Sequence, residues 1–174
     1  MNLLKRSATL IVSVFLCSAL LSIGCNKESP AGCTFTNPTD VATSAEIAFL
    51  QNYITTNNIT AVQHSSGVFY QIGTPGSGTN PAVCSIVRVN YEGRLFNGSR
   101  FDFNNSTNGA SFTLGQLIKG WQIALPLIKP GGIITLYIPP SLGYGSRAIT
   151  DGSGGVLIPA DSYLKFDITL RDVQ

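Results

Sequence analysis

Histidine and charge are both scarce in this chain. One histidine, His64, occurs in 174 residues, and charged residues make up only 11% of the sequence. His64 sits in a polar stretch and reads as a solvated side chain. No run resembles a nucleophile elbow that would recruit it. No His, Cys and Asp group shows metal-ligand spacing. Gly73 to Gly78 is glycine-rich but leads into a strand pattern and lacks the lysine of a phosphate cradle. These shortages leave little nucleophilic, acid–base, metal or cofactor chemistry. Any activity has to come from binding and solvation, with no metal and no cofactor. Lys/Arg clusters are missing too. Without Lys5 and Arg6, which belong to the leader, nine basic residues face nine acidic ones. Nucleic acid needs a basic face to displace counterions from phosphates, so that class of partner is excluded.

Long apolar runs are also few. Ala8 to Ile23 carries no charge, follows the positive pair Lys5-Arg6, and is about sixteen residues long. That is short for a membrane span and normal for a signal-peptide core. The run ends in Leu21-Ser22-Ile23-Gly24-Cys25, which resembles a lipobox, with Ser22 where an aliphatic residue is usual. The reading is a signal peptide over 1–24 and lipidation at Cys25, followed by a tether over 25–42. The expected location is the cell envelope, as a lipid-anchored protein facing the periplasm or the cell surface. Cys17 is lost with the leader and Cys25 takes lipid, so Cys33 and Cys84 remain. An even remainder in an oxidising compartment usually pairs, and a Cys33–Cys84 disulfide is expected.

Thr43-Ser44-Ala45-Glu46 has the pattern of a capping box, and Ile47, Leu50 and Ile54 follow at helical spacing. A helix over roughly 44–56 is predicted, inside an N-terminal helical segment over 43–65. It is read as a packing element rather than a dimerisation arm, which favours a monomer. From residue 66 the period changes. Strands are predicted over 83–95, 99–103 and 133–138. The clearest is the last, where Leu164, Phe166, Ile168 and Leu170 alternate with polar residues, the mark of a half-buried antiparallel strand. Ile118, Trp121 and Leu125 mark a short helix over 116–125, stopped by Pro126. One domain over 66–174, of α+β class, accounts for these elements.

Aromatic residues beside turns are what the sequence has in quantity, and their order carries a resemblance. Val89-Asn90-Tyr91-Glu92-Gly93-Arg94-Leu95 is similar to the strand motif V-x-Y-x-G-x-L of the FKBP-type peptidyl-prolyl isomerases. Arg100-Phe101-Asp102 is similar to that family's F-D pair. Phe112 to Gly115 with Leu117 to Trp121 resembles its F-x-L-G and V-I-x-G-W stretch. Gly143-Tyr144-Gly145, Ile158-Pro159 and Leu164 to Asp167 complete the order, over about residues 66–173. The resemblance implies a curved antiparallel β-sheet wrapped around a short α-helix, here with an extra N-terminal helix, in a bacterial exported lipoprotein. It implies substrate-binding roles for Tyr91, Phe101, Leu117, Ile118, Trp121, Ile158 and Phe166. Trp121 would form the floor for a proline ring, and Ile118 would offer a backbone N–H. Phe101, Asp102 and Tyr144 would be the catalytic set. The partners it implies are proline-containing segments of exported proteins. The sequence departs from the pattern at Ala110, which stands where an aromatic is common and opens one wall. It also lacks an arginine between Phe103 and Gly109, and its loop Ser146 to Gly155 is long. Apart from the resemblance, the residues leave open a non-catalytic proline-binding module, a holdase chaperone, or an adhesin with exposed aromatics.

Overall fold

The computed structural model describes residues 32–174. The leader, Cys17 and Cys25 lie outside the described residues.

The N-terminal helix α1 spans Ser44–Thr56, as the sequence pattern predicts. Thr43 and Glu46 form the complete capping box at its start. Asn58 takes a left-handed conformation (φ 51°) just past its end, where Asn is tolerated. Leu50 and Ile54 face inward and pack with Phe69 and Tyr137. Phe49 and Tyr53 stack on Tyr163 and Phe96, with ring centroids 4.1 Å apart in each pair. The helix is therefore docked on its own chain.

The sheet strands are β1 Val62–Gln63, β2 Phe69–Thr74, β3 Ile86–Leu95, β4 Arg100–Asn104 and β5 Ala110–Thr113. The short helix α2, Lys119–Ala124, separates these from β6 Ile133–Ile138. A small hairpin of β7 Ile149–Thr150 and β8 Val156–Ile158 comes next, and β9 Leu164–Val173 closes the chain. All pairings are antiparallel. The main sheet runs β1-β2-β6-β9-β3, and the outer edge of β3 is shared by β4 and β5. Register shifts within β3 and β2 and along the β3–β9 pair bend the ribbon, as an unpaired extra residue does. The core lies between the sheet and α2. Leu164, Phe166, Ile168 and Leu170 of β9 and Ile134, Leu136 and Ile138 of β6 point into it. Gly120 brings α2 close to the sheet: a Cβ there would stand 2.6 Å from Ile138.

Two boundaries differ from the sequence reading by more than one residue, and one strand beside the site was not predicted. The strand predicted from residue 83 begins at Ile86, because Ala82 and Ser85 close a turn on each other; Cys84 lies in that turn. The helix predicted over 116–125 is regular only over Lys119–Ala124. Ile118 is extended (ψ 148°), and Pro126, with no N–H to donate, tightens the exit into a 3-10 turn. The strand β5 was not predicted, since four residues between two turns give too short a pattern.

Residues 33–42, read as tether, form neither helix nor strand but are held to the domain. Cys33 and Cys84 are disulfide-bonded with Cα atoms 5.9 Å apart. The Phe35 ring lies over Gly115, Asp40 pairs with Lys119, and the Ala42 N–H donates to Ser66 O at 2.8 Å.

Candidate active site

The central strands β3 and β9 build the site. Gly93 faces Phe166 across the pair, and its missing side chain makes room for two rings. A Cβ at this position would stand 2.6 Å from Phe101 and 2.8 Å from Phe166. From the other side, α2 lifts Trp121 into the gap. The indole stands edge-on to Tyr91 (5.4 Å, 82°) and to Phe166 (5.2 Å, 89°). Such perpendicular contacts suit the ring quadrupoles, and the tryptophan is only 4% exposed. Its Nε1–H is buried without an acceptor among the described residues.

Above the indole lies a cavity of about 170 Å³. That is below the roughly 300–1,000 Å³ of sites for drug-sized ligands and suits a single residue. Phe112, Leu117, Ile118 and Phe166 form its walls, and Tyr91, Asp102 and Tyr144 its polar rim. The turn that carries Leu117 and Ile118 is tied to α2 by Gln122, whose Nε2 donates to Leu117 O (2.6 Å) and Gly115 O (3.2 Å). The Ile118 N–H donates to no acceptor among the described residues, so it is free for a ligand.

At the rim, the Tyr91 hydroxyl donates to Asp102 Oδ2 at 2.8 Å. Burial raises the Tyr91 pKa well above the ordinary tyrosine range. The hydrogen bond to Asp102, its negative charge, and the neighbouring Tyr144 push the same way. Tyr144 is raised by burial first and by the Asp102 charge second. Asp102 makes no ion pair among the described residues, in keeping with the missing arginine after Phe103. Both phenols therefore stay protonated as donors across neutral and mildly alkaline pH. A raised tyrosine pKa leaves stability unchanged below the ordinary value of 10.0, because both folded and unfolded forms are then protonated. Above it the unfolded chain ionises first and stability falls. An absorbance titration of phenolate should show Tyr91 among the last of the six tyrosines to ionise, and Tyr91→Phe should remove that late component.

Most of the sequence-predicted residues converge here. Tyr91, Asp102, Leu117, Ile118, Trp121, Tyr144 and Phe166 all line the cavity. Phe101 and Ile158 do not. Phe101 meets Phe166 edge-on at 5.5 Å, next to the cavity wall. Ile158 is 3% exposed, in the same core cluster as Trp121 and Phe166. Phe112 was not assigned a site role in the sequence. It reaches the cavity because β5 pairs with β3 and sets Phe112 opposite Val87; the alternation Ala110, Phe112 was the available signal. His64 caps a turn through Ser66 and takes no part. Among the described residues no group of His, Cys, Asp and Glu could hold a metal ion.

A short helix laid on an antiparallel sheet, with a small aromatic cavity between them under a tyrosine–aspartate rim, defines an α+β domain. A sequence model of the FKBP-type peptidyl-prolyl cis-trans isomerases matches residues 78–171, and the chain belongs to that family. It is 40% identical over 111 residues to the peptidyl-prolyl cis-trans isomerase Mip of Coxiella burnetii, covering 63% of this chain and 46% of Mip. It is 42% identical over 112 residues to FkpA of Escherichia coli K12, covering 63% of this chain and 39% of FkpA. The chain thus spans less than half the length of these curated relatives. The crystal structure of Escherichia coli FkpA superposes with a TM-score of 0.63 at 35% identity, covering 75% of this chain and 60% of that one. A peptidyl-prolyl cis-trans isomerase from Pseudomonas syringae gives 0.62 at 30% identity, covering 79% and 99%.

Proposed function

We propose that the protein is an active peptidyl-prolyl cis-trans isomerase working on X-Pro bonds of exported polypeptides. The observation that carries this reading is the cavity floored by Trp121 beneath Tyr91, Asp102 and Tyr144, in a chain of this family. An amide resists rotation by ~18–20 kcal/mol because resonance puts double-bond character into C–N. At X-Pro the two isomers are close in energy but exchange over roughly tens to hundreds of seconds. The planar amide is more charge-separated than the twisted one. Moving it from water onto an aromatic floor costs the planar form more, and only such differential binding speeds the step. The Ile118 N–H and the Tyr144 hydroxyl are donors for the backbone carbonyls flanking the proline. Asp102 orients Tyr91 and sets the rim potential; no proton leaves the substrate.

The test is acceleration of the slow, proline-limited phase of refolding of a model substrate by the purified protein. No acceleration at micromolar enzyme, from a folded sample, would leave a non-catalytic proline-binding module. Within the site the effects can be ranked. Asp102→Val should cost about tenfold or more in kcat/KM, since hydrogen bonds to charged groups contribute about 1.5–3 kcal/mol and the exposure of Asp102 places it near the lower end. Tyr144→Phe removes one neutral hydrogen bond and should cost tenfold at most, from about 0.5–1.5 kcal/mol. A loss near a thousandfold for Tyr144→Phe would contradict the ranking and put its hydroxyl into the chemistry.

The same proposal includes export and anchoring. Gly24-Cys25 at the end of the apolar leader supports a diacylated cysteine at the cell envelope. Cys25→Ser should leave an uncut, unacylated precursor. A wild-type protein that fractionates as soluble and carries no lipid by mass spectrometry would remove the anchor and leave the isomerase reading standing.

A further inference from the structure

Glu46 lies in the first turn of α1, outside the family-matched stretch 78–171, yet its carboxylate reaches the turn that leads to Tyr144. It has two sets of partners. Glu46 Oε2 accepts from the Thr43 N–H (2.8 Å) and the Thr43 hydroxyl (2.9 Å), closing the capping box. It also accepts from Ser141: the backbone N–H binds Oε1 and the hydroxyl binds Oε2, both at 2.8 Å. Ser141 sits in the 3-10 turn Pro140–Leu142, three residues before Tyr144. That turn is closed tightly. Leu142 N–H donates to Pro139 O (3.1 Å), and Gly143 and Gly145 N–H both donate to Pro140 O (3.0 and 2.8 Å). Tyr144 itself is flanked by Gly143 and Gly145. Gly145 is left-handed (φ +60°), a geometry open to glycine. Two glycines would let the tyrosine wander if the turn were not anchored. The anchor is rigid because Leu50 and Ile54 seat α1 against Phe69 and Tyr137.

We propose that Glu46 is a positioning residue for the proline pocket: by gripping Ser141 it fixes Tyr144 over the cavity, which makes the N-terminal helix part of the working isomerase site. The carboxylate suits this role. A charged acceptor gives stronger hydrogen bonds than a neutral one. Partial burial raises the Glu46 pKa, but the bonds from Ser141 and Thr43 together outweigh it and hold the group below the ordinary carboxylate value. This inference rests on the isomerase reading and on Tyr144 acting at the rim.

A double-mutant cycle tests it in the purified full chain. Glu46→Ala should lower kcat/KM for prolyl isomerisation about three- to tenfold, the scale of a lost net hydrogen bond or two. In a Tyr144→Phe background the same change should cost less than twofold, because its effect passes through the hydroxyl already removed. Glu46→Gln keeps one acceptor oxygen for the Ser141 N–H and turns the other atom into a donor that the Ser141 hydroxyl can accept from, so it should restore at least half of the lost activity. Thr43→Val breaks the capping box without touching Ser141; it should lower Tm but leave kcat/KM within twofold. Equal losses for Glu46→Ala in both backgrounds would overturn the proposal, as would a Thr43→Val variant as impaired in catalysis as Glu46→Ala. Amide hydrogen exchange over residues 139–147 supplies a readout independent of turnover. It should quicken in Glu46→Ala and not in Thr43→Val even if no isomerase activity is found. Unchanged exchange in Glu46→Ala would sink the anchor whatever the activity result.

Discussion

Trp121→Ala will lower kcat/KM for prolyl isomerisation by roughly ten- to a hundredfold or more, and will also weaken the fold. The indole is the floor of the cavity, so its removal takes away the surface on which the prolyl ring is desolvated. Burying an apolar side chain of that size contributes about 1.5–3 kcal/mol, and the cavity chemistry depends on keeping water out. The stability cost comes from the same ring. It is boxed between Tyr91 and Phe166 and almost fully buried. Truncating a buried tryptophan to alanine costs about 3–5 kcal/mol, a large share of the 5–15 kcal/mol that holds a typical domain together. The two effects separate with Trp121→Phe, which keeps an aromatic floor and should recover most of the stability and part of the activity. Kinetics at a temperature where circular dichroism shows each variant folded will check it. A folded Trp121→Ala protein that keeps more than a third of wild-type kcat/KM would place catalysis somewhere other than this cavity.

How far the sequence could be read depended on the range of the interaction behind each feature. Local rules served well. The capping box at Thr43 and Glu46 and the inward spacing of Leu50 and Ile54 set the α1 bounds. The period of two from Leu164 to Leu170 marked β9, and four of its residues are buried as that pattern demands. Seven of the nine residues picked out for the pocket meet there, because the ordered motifs tie each to a known place in the fold. What the motifs left open has a common cause. Phe101 and Phe166 compete for the space above Gly93, and only tertiary packing decides which ring lines the cavity and which stands next to its wall. Ile158 was assigned through the Ile158-Pro159 motif; the structure sets it in β8 opposite Ile149 of β7, a pairing no local pattern shows. Phe112 depended on β5, a strand made by pairing rather than by its own propensity. The segment 33–42 looked like linker because Pro, Asn and Gly dominate its surroundings. Its holding contacts to Gly115, Lys119 and Ser66 all lie more than twenty residues away, and no local pattern encodes them.

Removing the Cys33–Cys84 disulfide will destabilise the protein strongly while leaving isomerase activity nearly intact. The bridge spans 51 residues. For a loop of that size the chain-entropy estimate is about 4 kcal/mol, an upper figure because residual structure in the unfolded chain subtracts from it. For a domain of this length such a change corresponds to a fall in Tm of roughly 10 °C. The paired Cys33→Ser, Cys84→Ser variant should show that drop, and dithiothreitol should produce a similar one in the wild type. Thiol counting on denatured, unreduced protein should find neither cysteine free; two free thiols in protein isolated without reductant would reject the bridge. The small effect on activity follows from position. Neither sulfur lines the cavity. The turn holding Cys84 also supports the pocket wall through its backbone, where Val83 O and Ser85 O accept from the Gly115 and Leu114 N–H at 2.7 and 2.9 Å. Those bonds remain when the sulfurs are gone, and Gln122 still ties Leu117 to α2. What the disulfide adds is the strap itself, with Phe35 pressed over Gly115 and Asp40 paired to Lys119. An activity loss beyond about threefold, in folded protein, would mean that this strap braces the wall carrying Leu117 and Ile118, and that the backbone bonds alone do not hold it.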